Sequence, residues 1–367
     1  MNRLLLLLSV LATSCATLAD VGRGDQDLPS ALSGPFRQLR HGRQCVEDPD
    51  THEQFCNGVD ELPEGTSNGQ AKYPGRPPSR SPTALVRGDL HVILFVARGK
   101  EGEPTDRIAR MESKDARKFD DLVDVIPLDR PDEGKQIGDP FALDVDGKVV
   151  LYYSSPTGGI FRARAPDAAG TTFAKDGPIT LDGVKDSVET DPPRAPSVLR
   201  MPDGTFRLFY ASGALIFEAQ GDGLRFSRLG PVMTLSPTVD PTTLPEGVRP
   251  PFDDAAVDDP YVDRVVTAAG HVLYRMHYTG RDVRGGSSIG FGGRFGDSGL
   301  FTKEKGFVYG GKLPGGFTAN AHANAPAVAR FPGGFALLYA NQDTGEPSQR
   351  IGVAIAPQSM YLPWNGP

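Results

Sequence analysis

Five times along this chain, at intervals of about sixty residues, a small or acidic residue stands before a proline that opens a short apolar strand. The segments are "SPTALV" from Ser81, "DPFALD" from Asp139, "APSVLR" from Ala195, "DPYVDR" from Asp259 and "APAVAR" from Ala325. Each leads through a turn to a second strand: "VILFVA", "VVLYYSS", "FRLFYAS", "YRMHYTG" and "ALLYAN". Tyr153, Tyr210, Tyr278 and Tyr339 hold one matched position, with Val96 in the first repeat. A third strand begins near an isoleucine (Ile108, Ile160, Ile216, Ile289, Ile351), and most repeats add a fourth strand such as "GPITL" or "GPVMTL". Period-two patterning over short runs excludes a helical repeat. Four antiparallel strands, repeated five times, predict an all-β chain folded as a five-bladed β-propeller, with the first strand of each blade lining a central channel.

Composition agrees. The 367 residues include 44 glycines and 33 prolines, which suits many strands joined by turns. A net charge of −7 argues against a nucleic-acid partner held by phosphate contacts. The N-terminal "MNRLLLLLSVLATSCA" reads as an export signal: one arginine, an apolar run too short to span a bilayer comfortably, then small residues. Two processing routes follow. Cys15 resembles the lipidated cysteine of a bacterial lipobox, although Leu11 stands one position further away than usual. The alternative is secretory cleavage after Ala16 or Ala19.

Lipidation of Cys15 leaves Cys45 and Cys56 as an even pair, expected to form a disulfide in an oxidising compartment. The organisation expected is a signal over 1–15, an extension with a Pro/Gly linker over 16–79 and the propeller over 80–367. The protein is expected to be an exported monomer anchored in the outer membrane through lipid, or else secreted or periplasmic.

Comparison among repeats separates scaffold from exception. "DVDGK" at 144–148 has counterparts in "PDG", "AAG" and "PGG", so it is a hairpin turn rather than a calcium loop. "GFGGRFG" at 290–296 has no helix after it and is a weak phosphate motif. At the strand openings, by contrast, Asp139 and Asp259 stand where other repeats have Ser81, Ala195 and Ala325. Two carboxylates facing one channel can divide acid and base roles at a glycosidic bond. Asp258 can raise the pKa of Asp259 by like-charge repulsion.

The ends of the second strands place Arg98, Arg281 and Asn341 near the same mouth. His277 replaces a residue that is aromatic or aliphatic in other repeats (Tyr152, Phe209, Leu338), and Arg275 lies on the same face two residues earlier. Glu189 and Arg194 precede the third inner strand; Glu189 is either a third acid or part of a solvated loop. Together Asp258, Arg194, Arg275, His277, Arg281, Arg98 and Asn341 make the candidate substrate-binding set.

The Asp-Pro openings and "LYRMHYTGRD…SSIGFGGRFGDSGLF" resemble the five-bladed glycoside hydrolases of the arabinanase and β-xylosidase family and the invertase and levansucrase families, over about residues 80–360. The resemblance implies a carbohydrate ligand and acids on the inner strands of the first three blades. This chain departs from that pattern, with Ser81 in the first blade and Arg194-Ala195-Pro196 in the third. A catalytic centre of Asp139, Asp259 and Glu189 would therefore be shifted by one blade. The resemblance requires no cofactor but suggests a central Ca2+ or other ion, for which His322 is the matching ligand. The alternative is a degenerate propeller that binds a glycan or protein partner without turnover.

Overall fold

The computed structural model describes residues 103–113 and 122–304, with breaks at 245–250 and 267–269, together with strands at 79–87, 91–99, 322–331, 334–342 and 350–357 and short pieces at 37–38, 44–47, 54–57, 66–67 and 70–71. Among these residues the only helical elements are two 3-10 turns, Pro131–Glu133 and Pro241–Thr243. The molecule is a β-propeller.

The first repeat is a four-stranded antiparallel sheet of Ser79–Arg87, His91–Gly99, Thr105–Ser113 and Val123–Pro127. The second uses Gly138–Val145, Lys148–Ser155, Gly159–Arg164 and Ala174–Pro178. The third uses Arg194–Arg200, Phe206–Ser212, Leu215–Gly221 and Arg225–Met233, and Thr180–Asp182 joins its outer edge in parallel. The fourth comprises Ala256–Val266, Val272–Arg281, Ser287–Phe295 and Thr302–Lys303. His322–Phe331, Gly334–Gln342 and Arg350–Pro357 make the last, joined to the fourth where Ser287 pairs with His322. Each inner strand packs against the next, and that of the last repeat packs against that of the first.

The N-terminal extension contributes to this closure, through a piece at 37–38 and through a piece of the turn-rich stretch at 57–80. Arg37–Gln38 pairs antiparallel with Ile355 and Ala354 of the last strand, and Gln70 pairs with Gly352 of the same strand. Between them, Gln44–Glu47 and Gln54–Asn57 form a hairpin in which Cys45 lies directly opposite Cys56. Cys15 lies outside the described residues.

Every inner strand opens with the same backbone device. Ser81, Asp139, Ala195, Asp259 and Ala325 have φ of 51°, 47°, 48°, 46° and 49°. The ladder slips at each of them, between Arg80 and Thr83, Gly138 and Phe141, Arg194 and Ser197, Asp258 and Tyr261, and Asn324 and Ala327. The X–Pro pair thus leaves the ladder, as the proline's missing N–H allows. Hydrogen bonds then stitch neighbouring openings. The Ala142 N–H donates to Thr83 Oγ1 at 3.2 Å, the Val262 N–H to Ser197 Oγ at 2.9 Å and the Ala325 N–H to Thr279 Oγ1 at 2.9 Å.

The apolar core lies between successive sheets. Phe95, Tyr153 and Phe161 fill the first gap, and Tyr152, Phe206 and Phe217 the second. Phe209, Tyr274, Met276 and Phe301 fill the third. Leu94, Val96, Ala327 and Leu338 join the last repeat to the first. Each fully buried large side chain contributes roughly 1.5–3 kcal/mol. The glycines of "GFGGRFG" serve this packing. A Cβ on Gly290 would meet Phe252 and Tyr278 at 2.5 Å, and one on Gly292 would meet the Met233 methyl at 2.7 Å. "DVDGK" is a hairpin turn in which the Gly147 N–H donates to Asp144 at 2.9 Å.

A left-handed alanine costs about 1–2 kcal/mol that glycine avoids, against glycine's extra chain entropy of about 0.5–1 kcal/mol. Ala195→Gly is therefore expected to raise stability by about 0.5–1 kcal/mol in urea denaturation, and Ala195→Val to lower it.

Candidate functional site

Because the five openings turn toward one axis, Ser81, Asp139, Ala195, Asp259 and Ala325, with their prolines and with Thr83, Phe141 and Tyr261, line a single cavity of about 30 Å3. That is room for one or two water molecules, not for a sugar ring. Three openings contribute only a hydroxyl or a methyl group; two contribute carboxylates.

Each carboxylate has a prepared partner. Ser81 Oγ donates to Asp139 Oδ1 at 2.8 Å, and Ser154 Oγ donates to Oδ2 at 2.5 Å. Thr279 Oγ1 donates to Asp259 Oδ2 at 2.8 Å. Ser154 and Thr279 follow the matched second-strand tyrosines, a position held by Ala97, Ala211 and Ala340 in the repeats that lack an aspartate. The hydroxyl and the aspartate therefore occur together. That signal was present in the aligned repeats and is recognised only once the strand register places the two positions side by side.

Asp258 precedes Asp259 and plays a different part. Its Oδ1 accepts the Asp259 N–H at 2.9 Å, and its Oδ2 accepts Arg194 Nη2 at 3.0 Å. The same Arg194 nitrogen donates to the Gly213 carbonyl at 3.0 Å, and Arg281 Nη2 approaches Asp258 at 4.0 Å. Burial pushes the Asp259 carboxyl up to about 7, with the negative charges of Asp258 and Asp139 adding to the shift; Arg281 and the Thr279 hydrogen bond oppose it. Burial works against the Arg194 charge, but Asp258, Asp259 and Asp139 outweigh it and hold its pKa raised. The axis thus carries one carboxyl able to hold a proton near neutral pH and a second whose two oxygens both accept hydrogen bonds. That is an arrangement for passing a proton through a small polar space.

The other sequence candidates lie elsewhere. Glu189 is neither on the cavity wall nor solvated; it is buried and accepts Arg228 Nε at 3.0 Å. It belongs to a device repeated in three sheets. Glu133 accepts the Tyr153 hydroxyl at 2.6 Å and Lys175 Nζ at 2.8 Å, and Asp253 accepts the Tyr278 hydroxyl at 2.8 Å and Lys303 Nζ at 2.6 Å. Tyr210 is the counterpart beside Glu189 and Arg228. Each buried acid is neutralised by a cation from the outer strand of its own sheet.

Arg275 is buried in a two-pronged pair with Asp263, at 2.7 Å for both bonds. His277 is buried edge-on to Phe291, with ring centroids 5.2 Å apart. Arg98 is held by Asp124 at 3.0 Å. Asn341 pairs along the backbone with Ala323, and His322 with Gln342; their side chains lie outside the described residues. Among the described residues no group of three or more His, Cys, Asp or Glu side chains is arranged to hold a metal ion; the side chain of His322, the expected ligand of a central ion, lies outside them.

The comparisons place this geometry among known folds. No family model matches the chain, and no curated protein matches it. Solved structures do. A thermostable family-43 glycoside hydrolase superposes with a TM-score of 0.56 at 14% identity, over 81% of this chain and 96% of that one. An α-L-arabinofuranosidase from Lactobacillus brevis gives 0.54 at 13% identity, over 79% and 96%. An endo-1,4-β-xylanase from Bacteroides thetaiotaomicron gives 0.53 at 15%, over 77% and 97%. At these identities the likeness is one of fold: the chain shares the propeller architecture of these three structures.

Two expectations follow. The Asp259 carboxyl keeps its proton in the folded state where the unfolded chain has lost it, so its contribution to stability is complete below the ordinary value of 3.8 and is lost as pH rises through about 7. Asp259→Asn should flatten the dependence of Tm on pH between those limits and melt above the parent at pH 8. Glu189→Ala leaves the half-buried Arg228 without its acid and should cost up to about 3 kcal/mol in chemical denaturation. A residue acting only in catalysis would leave stability nearly unchanged.

Proposed function

We propose that the protein is an exported carbohydrate-active propeller of five blades that hydrolyses glycosidic bonds at its axis. Asp259 serves as the general acid and Asp139 as the base or nucleophile. The observation that carries this reading is the division of labour between two carboxyls facing one cavity. Asp259 is raised to about 7, where it can protonate a leaving oxygen near neutral pH, while Asp139 accepts hydroxyl hydrogen bonds at both oxygens. Ser154 and Thr279 orient these acids, and Asp258, paired with Arg194, keeps a negative charge beside Asp259.

The fold's likeness to propellers named as an arabinofuranosidase and a xylanase supports a furanoside or pyranoside substrate. Export rests on the leucine-rich N-terminus, with Cys15 as the lipid anchor of an outer-membrane lipoprotein. The opposed positions of Cys45 and Cys56 support a disulfide, because directly paired residues on antiparallel strands lie about 4.5–5.5 Å apart at Cα.

A second reading has its own observation. The cavity holds only one or two waters, and Arg194-Ala195 stands where the resemblance calls for an acid. Both features favour a propeller that binds a glycan over its mouth without cleaving it. The deciding experiment assays the soluble domain on aryl arabinofuranosides, aryl xylosides and fructans, beside Asp139→Ala and Asp259→Asn. Hydrolysis by the parent, reduced at least 100-fold by either change, is the expected result, since general acid–base groups contribute about 10²–10⁴-fold. Saturable binding without turnover, weakened by the same changes, selects the second reading.

A further inference from the structure

Resting on the carbohydrate reading above, we infer that the sugar at this site carries a carboxylate, so that the ligand is a uronic-acid glycan bound by Arg194 and Arg281 at the cavity mouth. Arginines elsewhere in the fold are spent on carboxylates. Arg275 spends two nitrogens on Asp263, Arg207 and Arg294 share Glu218, Arg228 holds Glu189, and Arg98 and Arg107 share Asp124. Each of these lies in or between sheets, within reach of a carboxylate.

Arg194 and Arg281, grouped around Asp258 next to the axial cavity, differ. Arg194 uses a single nitrogen, Nη2, for both Asp258 and the Gly213 carbonyl. Its Nε and Nη1 have no partner among the described residues. Arg281 reaches Asp258 only at 4.0 Å, with no closer partner among the described residues. The side chains are 28% and 45% exposed, so their remaining donors face solvent beside Asp258.

One carboxylate shared by two guanidinium groups leaves most of ten N–H donors unanswered by protein. A guanidinium presents donors in a fork that matches a planar carboxylate, and charge-assisted bonds of this kind are about twice as strong as neutral ones. A neutral sugar answers such a pair poorly. A uronate answers it while its hydroxyl groups remain free to meet Asp139 and Asp259. The protein's net charge of −7 works against any anion approaching at random, so preference for an acidic sugar must come from local cations. Arg194 and Arg281 set two positive charges beside Asp258, and the raised pKa of Asp259 lessens the negative charge that an incoming carboxylate meets.

The test is calorimetric binding of an oligogalacturonide and of the same oligomer with its carboxyls methyl-esterified, which removes charge but keeps the sugar. Neutral arabino- and xylo-oligosaccharides serve as further probes. The parent is expected to bind the acid form at least about tenfold more tightly than the ester, and Arg281→Gln to bring the two to within about twofold. Arg200→Gln, which removes a cation paired with Asp146 at a hairpin turn, is the control and should leave the ratio unchanged. Equal affinity for acid and ester, or a better fit for neutral oligomers, overturns the inference while the carbohydrate reading stands. A ratio that survives Arg281→Gln, or collapses in Arg200→Gln, overturns it too, because the charge is then sensed elsewhere. Absence of binding to every one of these glycans overturns both.

Discussion

The organisation of this propeller depends on one backbone constraint: a left-handed residue immediately before a proline at the start of each inner strand. The proline cannot donate to the ladder, and the residue before it adopts a φ that costs energy for anything but glycine. Together they lift two residues out of the sheet and turn the first toward the axis. Repetition around the ring brings five such positions to one small cavity, whatever their side chains. The scaffold needs only that these residues be tolerated there. Aspartate enters the left-handed region more readily than most residues, so Asp139 and Asp259 are compatible with the constraint. Ser81, Ala195 and Ala325 show that it does not demand them.

How the fold neutralises its buried acids then separates structure from chemistry. Glu133, Glu189 and Asp253 are each matched with a lysine or arginine from the outer strand of the same sheet, and Glu218 lies between Arg207 and Arg294. The first three pairs tie an outer strand to a loop, and the Glu218 group ties the third sheet to the fourth. Asp139 and Asp259 are met by hydroxyls instead. A hydroxyl fixes the orientation of a carboxyl without compensating its charge, and Asp259 consequently responds to burial and to its acidic neighbours by holding its proton. The same small set of amino acids thus gives charge-paired cross-links in one part of the fold and a carboxyl with a raised pKa in another. The difference lies in whether the partner carries charge.

The closing edge follows from the same economy. The last sheet has three strands from the C-terminal repeat, and an uncovered outer edge would be an open template for pairing. Two short pieces of the N-terminal segment cover parts of that edge, one on each side of the hairpin that carries Cys45 and Cys56. Glycine and proline density over 57–80 suggested a linker, yet Gln70 pairs with the last strand there. The pairing depends on where residues 350–357 end up, which composition does not encode.

The sequence by itself determined the repeat, the antiparallel strand pattern of most units and the two positions at which an aspartate departs from the scaffold. All three are local or periodic properties, visible when one part of the chain is laid over another. It also placed Arg194, Arg281 and Asp258 near the mouth, because strand direction alternates predictably. Only the tertiary structure decided which acids are neutralised. Glu189 meets an arginine 39 residues away, and Arg275 meets an aspartate across its own hairpin. Cavity size was likewise a tertiary matter. It is set by how closely five openings approach the axis, a sum of packing between sheets that no single repeat contains. Periodicity therefore predicts where functional groups point; the distances between them, and so their charge states, exist only once the ring is closed.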